Sequence, residues 1–301
     1  KKPIVWTMHD MWPFCGAEHY AFENENNRFC SGYLETNRDA SETGIDLNRK
    51  TWLLKKKHWK DLHFSIVSTS NWLNTNAKNS FLFNKSNHYL IPYPLETSQI
   101  WKPIEKAIAR KALSLPENCH LVLMGADGGI SNPRKGGDLL NDAIDNLSKI
   151  YNEKVELVIF GQSNPNNQNQ RQHIVHWLGD VKDDRILALA YSAADVMIVP
   201  SRQEAFGQTA TESLACGTPV VAFDIGGLSD IVIHKENGWL SPAFDTNHMA
   251  EGIKWILEDK IRYQKLSSIA RQLAVERYNP NLIAEKYLEV YRQVLEKHHQ
   301  L

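Results

Sequence analysis

Dense apolar runs alternate with polar stretches along the whole chain, and the rhythm changes about a third of the way in. Residues 1–8 (KKPIVWTM) are rich in apolar, β-branched and aromatic side chains, the pattern of a buried strand, and His9 and Asp10 follow it in a loop. A polar, irregular stretch occupies residues 18–46, and a helix is predicted over 48–61. Residues 64–68 (FSIVS) read as a second strand leading into Asn71, the expected cap of a helix that reaches about Ser80. Pro92, Pro94 and Pro103 then interrupt regular structure around residues 89–101, where a domain boundary is expected.

Beyond that point the alternation is cleaner. Strand-like runs lie at 120–124, 155–160, 173–177, 196–199 and 219–223, separated by helical patterns near 136–150, 183–193, 206–216 and 227–233. Strand and helix alternating in this way imply a parallel α/β sheet covered on both faces, with ligands bound at the carboxyl ends of the strands. Asn279 and Pro280 start a final helix, on which Ile283, Ala284, Tyr287, Leu288, Tyr291, Val294 and Leu295 recur at steps of three and four. Only residues 164–172 (NPNNQNQRQ) approach low complexity, and a flexible loop is expected there.

Composition narrows the function classes. The 301 residues carry 34 Lys+Arg against 35 Asp+Glu, so no global field draws nucleic acid. The length favours two domains, and no apolar run approaches the roughly 18 residues of a membrane-spanning helix. Cys15, Cys30, Cys119 and Cys216 are widely spaced without a Cys-x-x-Cys pair, which suits reduced thiols in a cytoplasmic protein.

The segment richest in chemistry is residues 200–219 (PSRQEAFGQTATESLACGTP). Glu204 lies in a loop after a strand, and Glu212 lies eight positions later, inside a helix. Gln208 and Glu212 share a helix face. The free N–H groups at the helix start, around Gly207, Gln208 and Thr209, suit a diphosphate. Gly207 brings no side chain to hold a phosphate off. Any two glutamates are ordinarily solvated surface acids. Here they bracket a glycine-containing helix start at the end of a parallel strand, which favours a site.

EAFGQTATE resembles the Glu-x7-Glu motif of the family-four retaining glycosyltransferases of GT-B fold. RKGGDLL, VHWLGDV, AADVMIVPS, GTPVVAFDIGGLSDIV and ENGWL agree with that family in order, and the likeness covers most of residues 90–297. The opening WTMHDMWPFCG resembles a bacterial subgroup concerned with exopolysaccharide and cell-envelope glycans. The resemblance implies an α/β fold of two Rossmann-like domains with parallel sheets, the first expected to be incomplete. The expected division is 1–98 for that acceptor-side domain, 99–278 for a nucleotide-sugar-binding domain, and 279–301 for a helix packing back toward the first.

The resemblance implies transfer of a sugar from a nucleotide-diphosphate sugar to a hydroxyl of a glycan or lipid-linked acceptor, with retention. It assigns Glu204 to the hydroxyls of the transferred sugar and Glu212 to the ribose. Phe206, Gly207, Gln208 and Thr209 would line the sugar and diphosphate, and Arg134 and Lys135, followed by Gly136 and Gly137, would neutralise the phosphates. Leu178 and Gly179 would contact the nucleobase. His9 would face the donor sugar across the cleft, with Asp10 either orienting it or capping the next turn. No cofactor is expected besides the donor substrate.

Three departures stand out. Ala126 follows Gly125 where many members carry arginine. Glu18 replaces a cysteine of a cluster that binds metal in some members, leaving His19 and Cys30, so no structural zinc is expected. By the same likeness, the first three strands of the first domain and its glycine-rich loop are absent. The basic run at residues 49–60 (RKTWLLKKKHWK) is read first as a solvated helix with its apolar side on the core, with peripheral contact to an anionic membrane at the inner face of the cell, or to an acidic lipid-linked acceptor, as the alternative. A nucleotide-sugar epimerase, a sugar phosphorylase and a catalytically impaired binding module remain the competing functions.

Overall fold

The structure is a computed structural model in which residues 2–21, 27–125, 128, 132–164 and 173–299 are described. Ala126 and most of the expected loop at 164–172 lie outside those residues. The chain forms two compact units, Lys1–Tyr93 with Asn281–Leu301, and Pro94–Pro280.

The first unit is built on three parallel strands, β1 (Ile4–Met8), β2 (Phe64–Ser68) and β3 (Asn87–Leu90), in the order β1-β2-β3. β2 is central and buried along its whole length, which explains its uninterrupted apolar and small residues. β3 (NHYL) lacks that pattern because it lies at an edge with its two end residues exposed and the middle two half-buried, and its sequence does not announce a strand. Helices α1 (Arg28–Ser31), α2 (Leu47–Trp59) and α3 (Asn71–Asn79) complete the first stretch of chain. Asp46 caps α2 by accepting from the Arg49 N–H. α3 is capped by Ser70, whose side chain accepts from the Leu73 N–H, and the expected cap Asn71 is instead its first helical residue.

Met8, Met11, Phe14, Phe29, Trp52, Ile66, Leu73 and Phe83 form one core of this unit. Val67 and Ile91 on the other side pack with Ile283, Val290 and Val294 of the C-terminal helix, Pro280–His299. That contact is narrower than the seven-residue stripe expected. Ile283, Val290 and Val294 are buried, whereas Leu288, Tyr291 and Leu295 stay about half exposed. Of these flanking positions, Tyr291 rests against the Tyr287 ring at 6.0 Å.

The basic run on α2 turns its apolar side to the core through Trp52, as expected, but one of its lysines is buried as well. Trp52 and Lys55 are buried. The Lys55 ammonium donates to the carbonyls of Trp12, Cys15 and Gly16 and sits 3.7 Å from the Trp12 ring centroid. Burial pulls its pKa down to about 8, against the opposing pull of Cys15, Glu18 and Asp10.

The second unit contains six parallel strands: β4 (His120–Gly125), β5 (Val155–Phe160), β6 (Val175–Gly179), β7 (Val196–Val199), β8 (Val220–Phe223) and β9 (Gly238–Ser241). Their order is β6-β5-β4-β7-β8-β9. The helices are α4 (Lys106–Ala112), α5 (Gly137–Ile150), α6 (Asp184–Ala193), α7 (Gln208–Ala215), α8 (Leu228–Ile231), α9 (Thr246–Leu257) and α10 (Lys260–Tyr278). Along β4, Val122 and Met124 join the core that contains Leu140 and Ile144 of α5 and Ile253 of α9. Leu121 and Leu123, pointing the other way, are fully buried as well. Burial on both faces is why these strands read as continuous apolar runs.

Two expectations shift in register. β6 begins at Val175 rather than at residue 173, and α7 opens at Gln208 rather than at residue 206. The order of strands reverses between β4 and β7, which makes the carboxyl ends of those two strands the switch point where an open parallel sheet leaves a crevice.

Candidate functional site

The loop at 200–207 leaves the end of β7 and enters α7 through Gly207, so the sequence-marked segment stands at the switch point. Gly207 has φ +110°, and a Cβ there would lie 2.8 Å from Leu228 Cδ2. Its missing side chain therefore serves the backbone turn and the packing of α8. The N–H groups of Gln208 and Thr209 precede the first intrahelical donor, Ala210, which bonds the Gly207 carbonyl at 3.0 Å.

A short 3-10 turn, Pro133–Lys135, is tied to this loop. The Arg202 N–H donates to the Arg134 carbonyl at 2.8 Å, and Arg134 Nη1 donates to the Gln203 carbonyl at 2.9 Å. Gly136 (φ +71°) ends the turn, and a Cβ on it would meet the Pro200 carbonyl oxygen at 1.9 Å. The close approach that this glycine permits is thus between two backbone segments. Its consequence is to bring Lys135 Nζ to 2.6 Å from Glu204 Oε2, with Arg134 Nη1 at 3.7 Å and Ser201 Oγ at 3.4 Å from the same oxygen. Lys135 and Glu204 are both largely buried, so their attraction is weakly screened.

Glu212 is buried on α7 and accepts from the Tyr191 hydroxyl at 2.8 Å. Burial raises its pKa to about 7, although hydrogen bonds from Tyr191 and Gln208 pull the other way and Asp184 pushes with burial. Burial likewise raises Tyr191 well above its ordinary value, so this phenol remains a donor. Gln208 and Glu212 thus share a face, as their spacing implies.

The remaining candidates are dispersed. Phe206 is buried and stands edge-on to Tyr278 at 6.0 Å. Thr209 is partly exposed at the start of α7. Gly179 ends β6, and Leu178 falls where the β5–β6 register shifts, with Ile159 opposite Trp177 and Phe160 opposite Gly179. His9 belongs to the first unit, where its Nδ1 bonds the Tyr93 hydroxyl and the two rings stack at 5.4 Å. Asp10 does not orient His9. It caps the following turn through the Trp12 N–H at 2.9 Å and pairs with His19 at 2.6 Å.

Sequence reasoning missed Tyr191 and Ser201. Ser201 stood next to the recognised loop, but Tyr191 sits in an unremarkable apolar helix and carried no local signal. Among the described residues, no group of three or more His, Cys, Asp and Glu side chains is gathered as a metal site, and no helix is long and apolar enough to cross a membrane.

Residues 110–273 match the family of glycosyl transferases group 1. A D-inositol 3-phosphate glycosyltransferase of Xylanimonas cellulosilytica is 35% identical over 199 residues, which are 62% of this chain and 46% of the relative. An uncharacterized glycosyltransferase of Methanocaldococcus jannaschii is 30% identical over 68% of this chain and 52% of its own. The chain therefore spans about half the length of the curated relatives it matches. Among solved structures, the sucrose-phosphate synthase of Thermosynechococcus elongatus superimposes with a TM-score of 0.70 at 26% identity, covering 97% of this chain and 68% of the other. Anabaena HepE in complex with UDP and glucose gives 0.68 at 19% identity, covering 97% and 72%, a likeness of fold.

Proposed function

Because the chain belongs to the glycosyl transferases group 1, whose match spans more than half of it, we propose that it binds a nucleotide-diphosphate sugar and transfers the sugar, with retention, to a hydroxyl acceptor. The observation that carries this reading is the meeting of Arg134, Lys135 and Glu204 at the switch point, beside the opening of α7. Two cations beside free helix N–H groups suit a diphosphate, and a carboxylate within reach of them suits the hydroxyls of the attached sugar. Glu212, one helical stretch further, takes the ribose.

Retention through a covalent intermediate needs a nucleophilic carboxylate at the anomeric carbon. Glu204 is already engaged by Lys135, so the proposed route is front-face transfer. The anomeric carbon–phosphate oxygen bond breaks as the acceptor oxygen bonds the same face, and the acceptor proton passes to the departing phosphate. Lys135, Arg134 and the helix start stabilise the developing charge without a metal. We place this activity in polysaccharide or glycan assembly in the cytoplasm, with the membrane face as one setting. His9 is proposed to act in turnover alone, so His9→Ala should lower transfer and leave nucleotide affinity intact.

Lys135→Ala should weaken nucleoside diphosphate binding by about 1–3 kcal/mol, the range for a charged hydrogen bond. Glu212→Ala should weaken free nucleotide and nucleotide sugar alike, whereas Glu204→Ala should affect only the sugar-bearing donor. Calorimetry with equal losses for both glutamates on free nucleotide would overturn this division. The function itself is tested by a thermal-shift panel of UDP-, GDP- and ADP-sugars with EDTA present, followed by NMR of the product anomers. UDP-glucose heads the panel, since the fold-related HepE structure holds UDP and glucose. An inverted product, or a strict manganese requirement for binding, would defeat the proposal.

A further inference from the structure

A cavity of about 680 Å³ opens in the first unit at the end of the sheet where β2 and β3 begin, since Phe64 and Asn87 are the first residues of those strands. His9 follows the last residue of β1, and the strands are parallel, so the cavity and His9 lie at opposite ends of the strands. Trp59, Phe64 and Phe81 wall it, and Lys56, Lys60 and Lys85 surround it. A second cavity of about 180 Å³ shares Leu62, His63, Phe64 and Asn87 with the first and adds Lys2, Lys297 and His298. No Asp or Glu is among the residues lining either one.

Lys56, Lys60 and Lys85 stand exposed around one concavity, in a chain whose charges otherwise balance. The Lys56 ammonium lies 4.6 Å from the Phe81 ring centroid and 5.2 Å from that of Trp52, so it rests on aromatic faces. Phe81 remains 41% exposed beside it. The polar residues Asn84, Ser86 and Asn87 line the cavity too, Asn87 accepting from Lys297 at 3.3 Å. The volume lies within the roughly 300–1,000 Å³ of small-ligand pockets.

We infer that this basic, aromatic-walled cavity is a binding site for a phosphorylated ligand with an apolar portion, separate from the donor residues of the second unit. A phosphate monoester offers close to two negative charges and several acceptor oxygens to lysines acting as point charges. The apolar part covers the Trp59 and Phe81 surface that the phosphate cannot use. The same chemistry belongs to a lipid headgroup in a bilayer and to a free phosphorylated molecule.

The probe is octyl phosphate below its micellar concentration, titrated calorimetrically into the full chain. Octyl phosphate should bind more tightly than inorganic phosphate or octanol. The double charge reversal Lys56→Glu with Lys85→Glu should weaken it by about tenfold or more, while Lys56→Arg with Lys85→Arg should bind as the parent does. Lys135→Ala should leave this binding unchanged, which separates it from the donor site. Phe81→Ala, at a half-exposed position, should weaken octyl phosphate and spare inorganic phosphate. Co-sedimentation with phosphatidylcholine vesicles only when they contain phosphatidic acid, lost on charge reversal, assigns the ligand to a bilayer. Octyl phosphate binding without co-sedimentation assigns it to a free molecule, and both results sustain the site. Equal affinity for octyl and inorganic phosphate, or binding unchanged by charge reversal, overturns it.

Discussion

Replacing Asp195 by alanine should cost the second unit about 3–5 kcal/mol of folding stability, the range for removing one partner of a buried ion pair. Asp195 stands just before β7 and is 8% exposed. Its carboxylate accepts from Lys106 Nζ at 2.5 Å, Arg110 Nη2 at 2.7 Å and the Leu121 N–H at 2.7 Å. Burial alone would raise its pKa, but the His120 hydrogen bond and the charges of Lys106 and Arg110 prevail and hold it well below the usual carboxylate range. Arg110 is itself buried, donating to the carbonyls of Ala193, Glu117 and Cys119, so removal of Asp195 leaves a guanidinium without its counter-charge. The loss should appear as a lower urea midpoint with an unchanged slope.

The pH dependence follows from the depressed value. Its contribution is present above the ordinary carboxylate pKa and is lost as pH falls through the lower folded one. The alanine variant should therefore show a shallower loss of stability on acidification. A loss under about 1 kcal/mol, the range for exposed pairs, would mean that water screens the cluster.

Glu212→Gln should act in the opposite direction on stability and still damage function. With a folded pKa of about 7, the native state holds this proton longer than the unfolded chain does. The stabilisation is complete below the ordinary carboxylate pKa and is lost as pH rises through about 7. Over that interval, at 1.36 kcal/mol per pKa unit, the side chain's contribution falls by about 3 kcal/mol. Glutamine keeps an acceptor for the Tyr191 hydroxyl without a buried charge, so the variant should be more stable than the parent by about that amount above pH 8. Its stability should also be flatter between pH 5 and 8. Nucleotide affinity should strengthen in the parent as pH passes 7, because ribose hydroxyls donate best to the ionised carboxylate, and should be weak and flat in the variant. Thermal unfolding and calorimetry across that range check both. A variant less stable than the parent at pH 8 would show that the charged form is accommodated in the fold.

These two residues mark how far the sequence reaches. The boundaries of β2, β5 and β7 coincide with their apolar runs. A strand covered on both faces is largely apolar, and that preference is written locally; the buried Glu156 of β5 is held by Lys154 and His176. β3 escaped because an edge strand with exposed residues carries no such demand. α10 escaped because it buries small residues such as Ala270 and Ala274, whose apolar signal is weak. Glu204 and Glu212 were singled out by the helix start that they bracket, and Arg134 and Lys135 by the family resemblance. Their convergence was not legible. Lys135 and Glu204 are 69 residues apart, and they meet because Gly136 lets two backbone segments touch and because the strand order reverses between β4 and β7. Tyr191 beneath Glu212, and the Lys106–Arg110–Asp195 cluster spanning 85 residues and more, exist only in the packed unit. Charge pairing and desolvation depend on which side chains share a low-dielectric space, so the sequence named the groups while the tertiary structure decided their partners and protonation.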